Sequence, residues 1–196
     1  MNGQFYQRNT SKESAINTST IVLELLMLVL FGVVVAFLRA RLRIPLHMPG
    51  HHGVEVMFLI VLARLITRLP ISSTITTTSA AGCMLIPGLG YTDPFLPVIF
   101  ICFGLFLDWA FRLFPKLQLN ILFVLLISGL AYSFIPLSRF VIVAFTHFPY
   151  DSIIRGGFTM NLLSHFCFGA SGGFIAISSY IFANKLKSAN SKSQAT

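Results

Sequence analysis

Seven residues able to do chemistry fall within about 17 positions: Arg39, Arg41 and Arg43, then His47, His51, His52 and Glu55. Pro45, Pro49, Gly50 and Gly53 are interleaved with them and prevent a continuous helix, so a structured loop is expected. A guanidinium offers a planar, permanently charged fork that fits carboxylate or phosphate, and neutral imidazoles add donors and acceptors beside it. The pattern therefore points to capture of an anionic small molecule. It equally suits arginines anchored at lipid headgroups with histidines capping helix ends. A metal site on His47, His51 and His52 is the other chemistry to weigh. His47 and His51 would share a helix face, but Pro49 and Gly50 interrupt that register, and adjacent His51 and His52 usually point apart. No second cluster of Cys, Asp or Glu supports a metal, and neither a metal nor any other cofactor is expected.

Further polar residues could complete an anion pocket. Tyr91, Thr92 and Asp93 follow the turn at Gly88 to Gly90, while Tyr150, Asp151, Arg155 and Asn161 precede or open the last apolar stretch. Asp151 and Arg155 could equally pair with each other. Asp108 stands four residues before Arg112, the spacing of an ion pair along one helix face. Glu24 lies about a turn into the first apolar stretch. His165, beside Asn161 and Ser164, is the one imidazole deep enough to line a cavity, although a hydrogen-bonded helix contact accounts for it as well. No HExxH, GxSxG or phosphate-loop motif is present, so no enzymatic activity is expected.

The elements that position these residues belong in a bilayer. Hydrophobic residues make up 55% of the 196, charged residues only 10%, and the mean hydropathy is +0.80. A soluble domain of that composition would lack the polar surface to cover itself. The expected fold is an all-α integral membrane protein, a compact bundle of about six transmembrane helices with a structured outer loop between the first two. Spans are expected at 20–40, 54–69, 71–88 and 95–114, then from Leu117 and over 157–183. Residues 117–148 exceed one upright helix; Pro136 suggests a bent or interfacial extension over 137–148 with Arg139 at the headgroups, or else a seventh span. Residues 1–19 read as a polar cytoplasmic segment ahead of an uncleaved anchor, 20–183 as the bundle, and 184–196 as a basic polar tail.

The net charge of +8 is distributed at the ends of apolar runs, which argues for membrane orientation rather than nucleic-acid binding. With the N-terminus inside, Arg8, Lys12, Arg64, Arg68, Arg112, Lys116, Lys185, Lys187 and Lys192 are cytoplasmic. Five remain outside: Arg39, Arg41, Arg43, Arg139 and Arg155. Both termini are accordingly expected in the cytoplasm of a cell with a multi-pass inner-membrane protein. Cys83, Cys102 and Cys167 are widely spaced in apolar segments and read as packing residues.

The third apolar stretch carries Ser72, Ser73, Thr74, Thr76, Thr77, Thr78 and Ser79 before Ala80, Ala81 and Gly82, a composition suited to close helix contact. Gly169 and Gly173 form a small-xxx-small pair in the last one. Six spans in a chain of this length, a short polar N-terminus, a structured first loop and small residues in the first helix resemble the substrate-binding S components of energy-coupling factor vitamin transporters, the biotin type most nearly. In that family an AxxxA pattern on the first helix docks on the transmembrane coupling subunit; its counterpart here is Gly32, Ala36 and Ala40, with glycine at the first position. The resemblance implies a small-molecule substrate held near the outer surface, and coupling and ATPase subunits as partners besides membrane lipids. The readings from other classes are an accessory subunit of a larger membrane complex and a small metal-binding membrane protein built on His47, His51 and His52.

Overall fold

A computed structural model gives the fold; residues 18–42, 48–146, 148, 150 and 157–193 are described, without the side chains of 191–193. Arg43, His47, Asp151 and Arg155 lie outside the described residues. Six α-helices run in order: α1 Thr18–Arg41, α2 Gly53–Ile66, α3 Ser72–Met84, α4 Leu96–Leu113, α5 Ile121–Thr146 and α6 Phe158–Ser193. A single 3-10 turn, Pro115–Leu117, links α4 to α5, and the described residues contain no strand. Four helices are long and apolar enough to cross a bilayer: Thr18–Arg41, Leu96–Leu113, Ile121–Thr146 and the Phe158–Asn190 part of α6. They mark the chain as a membrane protein.

The second and third helices are shorter than hydropathy alone suggests. With 14 and 13 residues, α2 and α3 rise only about 21 and 20 Å. Apolar side chains continue past both ends, but the backbone does not. Thr67 leaves the helical region at φ −100°, ψ 157°, just before Leu69 and Pro70. Leu85 and Ile86 lead into Pro87 and the positive-φ Gly88 and Gly90, so the chain turns away from α3. In α5 the reverse holds: one helix continues through Pro136 to Thr146.

The start of α3 has no acceptor of its own, because the residue at its N-cap is Ile71. Asp108 of α4 supplies it, accepting from Ser73 N at 3.1 Å, Thr74 N at 2.7 Å and Thr74 Oγ1 at 2.6 Å. Arg64 Nε of α2 stands 3.6 Å from the same carboxylate. The expected Asp108–Arg112 pair is therefore corrected: Arg112 is exposed, and Asp108 joins α2, α3 and α4 instead. A helix N-terminus with free N–H groups and positive dipole attracts a buried carboxylate more effectively than a solvated guanidinium on its own face.

Helices consecutive in the chain run antiparallel; the main packing pairs are α5 with α6 and α3 with α4, together with the parallel pairs α2 with α6 and α1 with α3. The polar, small-residue face of α3 is buried, with Ser72, Ser73, Thr76, Thr77, Ala80 and Ala81 all inside. Gly169 and Gly173 seat α6 on α5: a Cβ on Gly169 would lie 2.6 Å from Tyr132 Cβ and 2.9 Å from Ser128 O. Gly32 meets Thr76 and Ser79 of α3 in the same way, and Ala36 is fully buried. Gly32 and Ala36, expected to dock on a partner, pack in this chain against its own α3; Ala40 is half-buried at the end of α1. The opposite face of α1, with Leu23, Leu26, Leu30 and Phe37, is exposed and apolar; only 22% of the helix's apolar stretch is buried.

Candidate functional site

Antiparallel packing brings the C-terminal ends of α1, α3 and α5 together with the N-terminal ends of α2, α4 and α6. At this end a cavity of about 180 Å³ is lined by Arg39, the turn Met48 to His52, Tyr132, Pro136, Arg139, Asn161 and His165. A second hollow of about 380 Å³ lies against the Leu89 to Asp93 loop and shares Arg39, His52 and Arg139 with the first. These three side chains line both hollows, the smaller termed the inner compartment and the larger the outer one.

Helical periodicity delivers the walls. Tyr132, Pro136 and Arg139 fall at i, i+4 and i+7 of α5, and Asn161 with His165 at i, i+4 of α6, so each set shares one face. The turn before α2 closes over them at Gly50, whose φ of 82° and close approach require glycine; a Cβ there would lie 2.8 Å from the His165 ring. His165 in turn stacks on Tyr132 with ring centres 5.3 Å apart.

The charges are partnered unequally. Arg139 binds Asp93 Oδ2 through Nε at 3.2 Å and Nη2 at 2.9 Å, and lies over the Tyr150 ring at 5.1 Å. Asp93 Oδ1 also accepts from Tyr150 OH at 2.8 Å and from Phe95 N at 3.0 Å, so this carboxylate is saturated. Arg139 is consequently part of a folded network with Asp93 and Tyr150. Arg39 differs. It donates to Tyr132 OH at 3.2 Å and sits over Phe100 at 5.5 Å, but among the described residues no carboxylate pairs with it.

The imidazoles are oriented by their Nδ1 atoms. His51 Nδ1 bonds Met48 O at 2.8 Å and His165 Nδ1 bonds Asn161 O at 2.8 Å, while His52 Nδ1 meets Glu55 Oε1. Glu55 Oε2 is buried without a hydrogen-bond partner among the described residues. His51 and His52 do not diverge as adjacent residues usually do; their rings lie 4.1 Å apart. Outside the helices, burial first and Asp93 second push the Tyr150 phenol above its ordinary range, and burial does the same to Tyr91, which donates to Ala36 O at 2.6 Å. Both phenols therefore stay protonated and act as donors near neutral pH.

Of the residues expected from sequence, His51, His52 and Asn161 line the inner cavity, Glu55 holds His52, and Asp93 lies in the outer hollow while holding Arg139. Arg41 is exposed on the other side of α1 and lines neither compartment. Tyr132 and Arg139 were not expected in the pocket and line it, beside Arg39 of the expected arginine cluster and His165, expected only as an imidazole deep enough to line a cavity. The spacing signal for them existed: residues two apart on a helix point to different sides, which separates Arg39 from Arg41.

Among the described residues, no three His, Cys, Asp or Glu side chains gather to hold a metal ion. Among the described residues the inner lining holds no Ser, Cys or Lys; its polar groups are guanidinium, phenol, imidazole and amide. No protein-family model, curated protein or solved structure matches the chain.

Proposed function

We propose that this chain is the substrate-capturing membrane subunit of an uptake system for a small anionic solute, comparable in role to the S components that its layout resembles. The observation that carries the reading is Arg39: a permanent cation at a cavity wall that makes no ion pair with any carboxylate among the described residues. Leaving a guanidinium uncompensated beside apolar helices is costly, and a bound anion offsets that cost. Arg139, already neutralised by Asp93, lines both compartments.

In this reading all six helices traverse the inner membrane, with α2 and α3 extended by their flanking apolar residues. Both termini are cytoplasmic and the cavity opens outward, in keeping with nine basic residues on the terminal side against five on the cavity side. Capture is followed by movement of the bundle against a coupling subunit driven by ATPase subunits. With Gly32 and Ala36 occupied by α3, a coupling subunit would engage the exposed apolar face of α1 around Leu26 and Leu30.

Native mass spectrometry of protein purified without added ligand tests the capture role. A small anion retained by the wild type and by Arg68→Ala, at the opposite end, should be lost from Arg39→Ala at equal folded yield. Equal retention by both variants would reduce Arg39 to a structural residue.

A further inference from the structure

We infer that the end of the molecule opposite the cavity carries a binding site for one anionic phospholipid, in the hollow where α6 outruns α5. The inference stands apart from the capture reading and needs only that the chain sits in a bilayer. The seam between the two helices sets the site. Gly173 lies against Val124 O, and α5 begins at Ile121, so its cover ends about one turn further along α6. The helix itself continues to Ser193. Tyr180, Asn184 and Ser188 extend the stripe of Gly173 and Ile177, with Ile181 and Lys185 beside it at i, i+4. Together with Leu119 of the α4–α5 turn they line a hollow of about 490 Å³. It opens away from the bundle, since Leu119, Asn184, Lys185 and Ser188 are all exposed.

The chemistry of the lining changes as a membrane interface does. Leu119 and Ile181 are apolar, while Asn184, Lys185 and Ser188 offer an amide, an ammonium and a hydroxyl. Depth agrees with this order. Ile181 stands about 35 Å along α6 from Phe158, and Lys185 about 40 Å. A hydrocarbon core of about 30 Å, or about 40–45 Å with its headgroup layers, puts the apolar part beside acyl chain and the ammonium among phosphates. Charge then selects the lipid. The sequence contains no Asp or Glu over 109–150 or 152–196, yet Arg112, Lys116, Lys185 and Lys187 all fall there. The carboxylates described at this end are engaged elsewhere, Glu24 with Arg68 N and Asp108 with Arg64 and the start of α3. Lys185 forms no ion pair among the described residues. A headgroup with a net negative charge complements this cationic end, whereas a zwitterionic one brings its own cation and gains less.

The test is native mass spectrometry of the full chain, released from detergent micelles that contain equimolar phosphatidylglycerol and phosphatidylcholine with identical acyl chains. The first phosphatidylglycerol should bind about five-fold more tightly than the first phosphatidylcholine, the worth of one lysine beside an anionic headgroup. Lys185→Gln should bring that ratio towards one, and Lys185→Arg should keep it. Lys185 is exposed, so both variants retain the packed seam. Arg41→Ala removes an exposed cation from the cavity end and should leave the ratio unchanged. A large excess of inorganic phosphate should not displace the lipid, because the acyl chain holds the apolar part of the hollow. Equal binding of the two lipids by the wild type, or equal losses in Lys185→Gln and Arg41→Ala, would overturn the inference. Displacement by phosphate would overturn it as well and make the hollow a site for free anions. None of these outcomes bears on retention of a solute beside Arg39.

Discussion

At the scale of single residues, Asp108 and Arg39 represent opposite solutions for charge in an apolar bundle. Asp108 is 4% exposed, accepts three hydrogen bonds from the start of α3 and faces Arg64. Its replacement by Ala removes a helix cap and strands Arg64, so a loss of about 3 kcal/mol is expected. Arg112→Ala, by contrast, should change stability by no more than about 0.5 kcal/mol. Chemical denaturation of both variants in detergent checks this, and equal losses would restore the Asp108–Arg112 pair. Sequence spacing exposed the candidate partner four residues away and missed the true one, because a helix N-terminus 34 positions upstream leaves no local trace. The Arg and His density before α2 was legible from residue types alone. Which of its arginines enters the cavity was not, since that depends on the rotation of α1 against α5.

The helices themselves were more readily read than their ends. Hydropathy located all six, and the small-residue content of the third and last correctly indicated burial. The ends of α2 and α3 were overextended because the apolar composition of Leu85 and Ile86 outlasts the hydrogen-bonded backbone, which Pro87 and Gly88 redirect. The α5–α6 seam gives a prediction at this scale. Gly173 meets Ser128 and Val124, with no room for a side chain, so Gly173→Leu should destabilise the bundle by about 2 kcal/mol or more. Leu23→Phe on the exposed face of α1 should be neutral. Thermal unfolding followed by size exclusion distinguishes the two, and a tolerated Gly173→Leu would mean that α5 and α6 do not pack as described.

For the whole molecule, antiparallel packing separates two ends of different character. One carries the cavity with Arg39 and Arg139; the other carries Glu24 bonded to Arg68 N, the Arg64–Asp108 network and the basic residues Lys116, Lys185 and Lys187. If the cavity faces outward, a cysteine placed at Thr92 should react with an impermeant maleimide on intact cells, whereas one at Lys116 should react only after lysis. The reverse pattern would invert the protein and make the cavity an inward-facing site. The most direct test of the central claim is a cryo-electron microscopy map of the chain purified without added ligand, held on a rigid binding protein. Capture by Arg39 predicts density for a small molecule beside its guanidinium, between the Met48 to His52 turn and α5, lost in Arg39→Ala. A wild-type cavity containing only water-sized density, with any retained anion bound instead near Lys185 and Lys187, would contradict it.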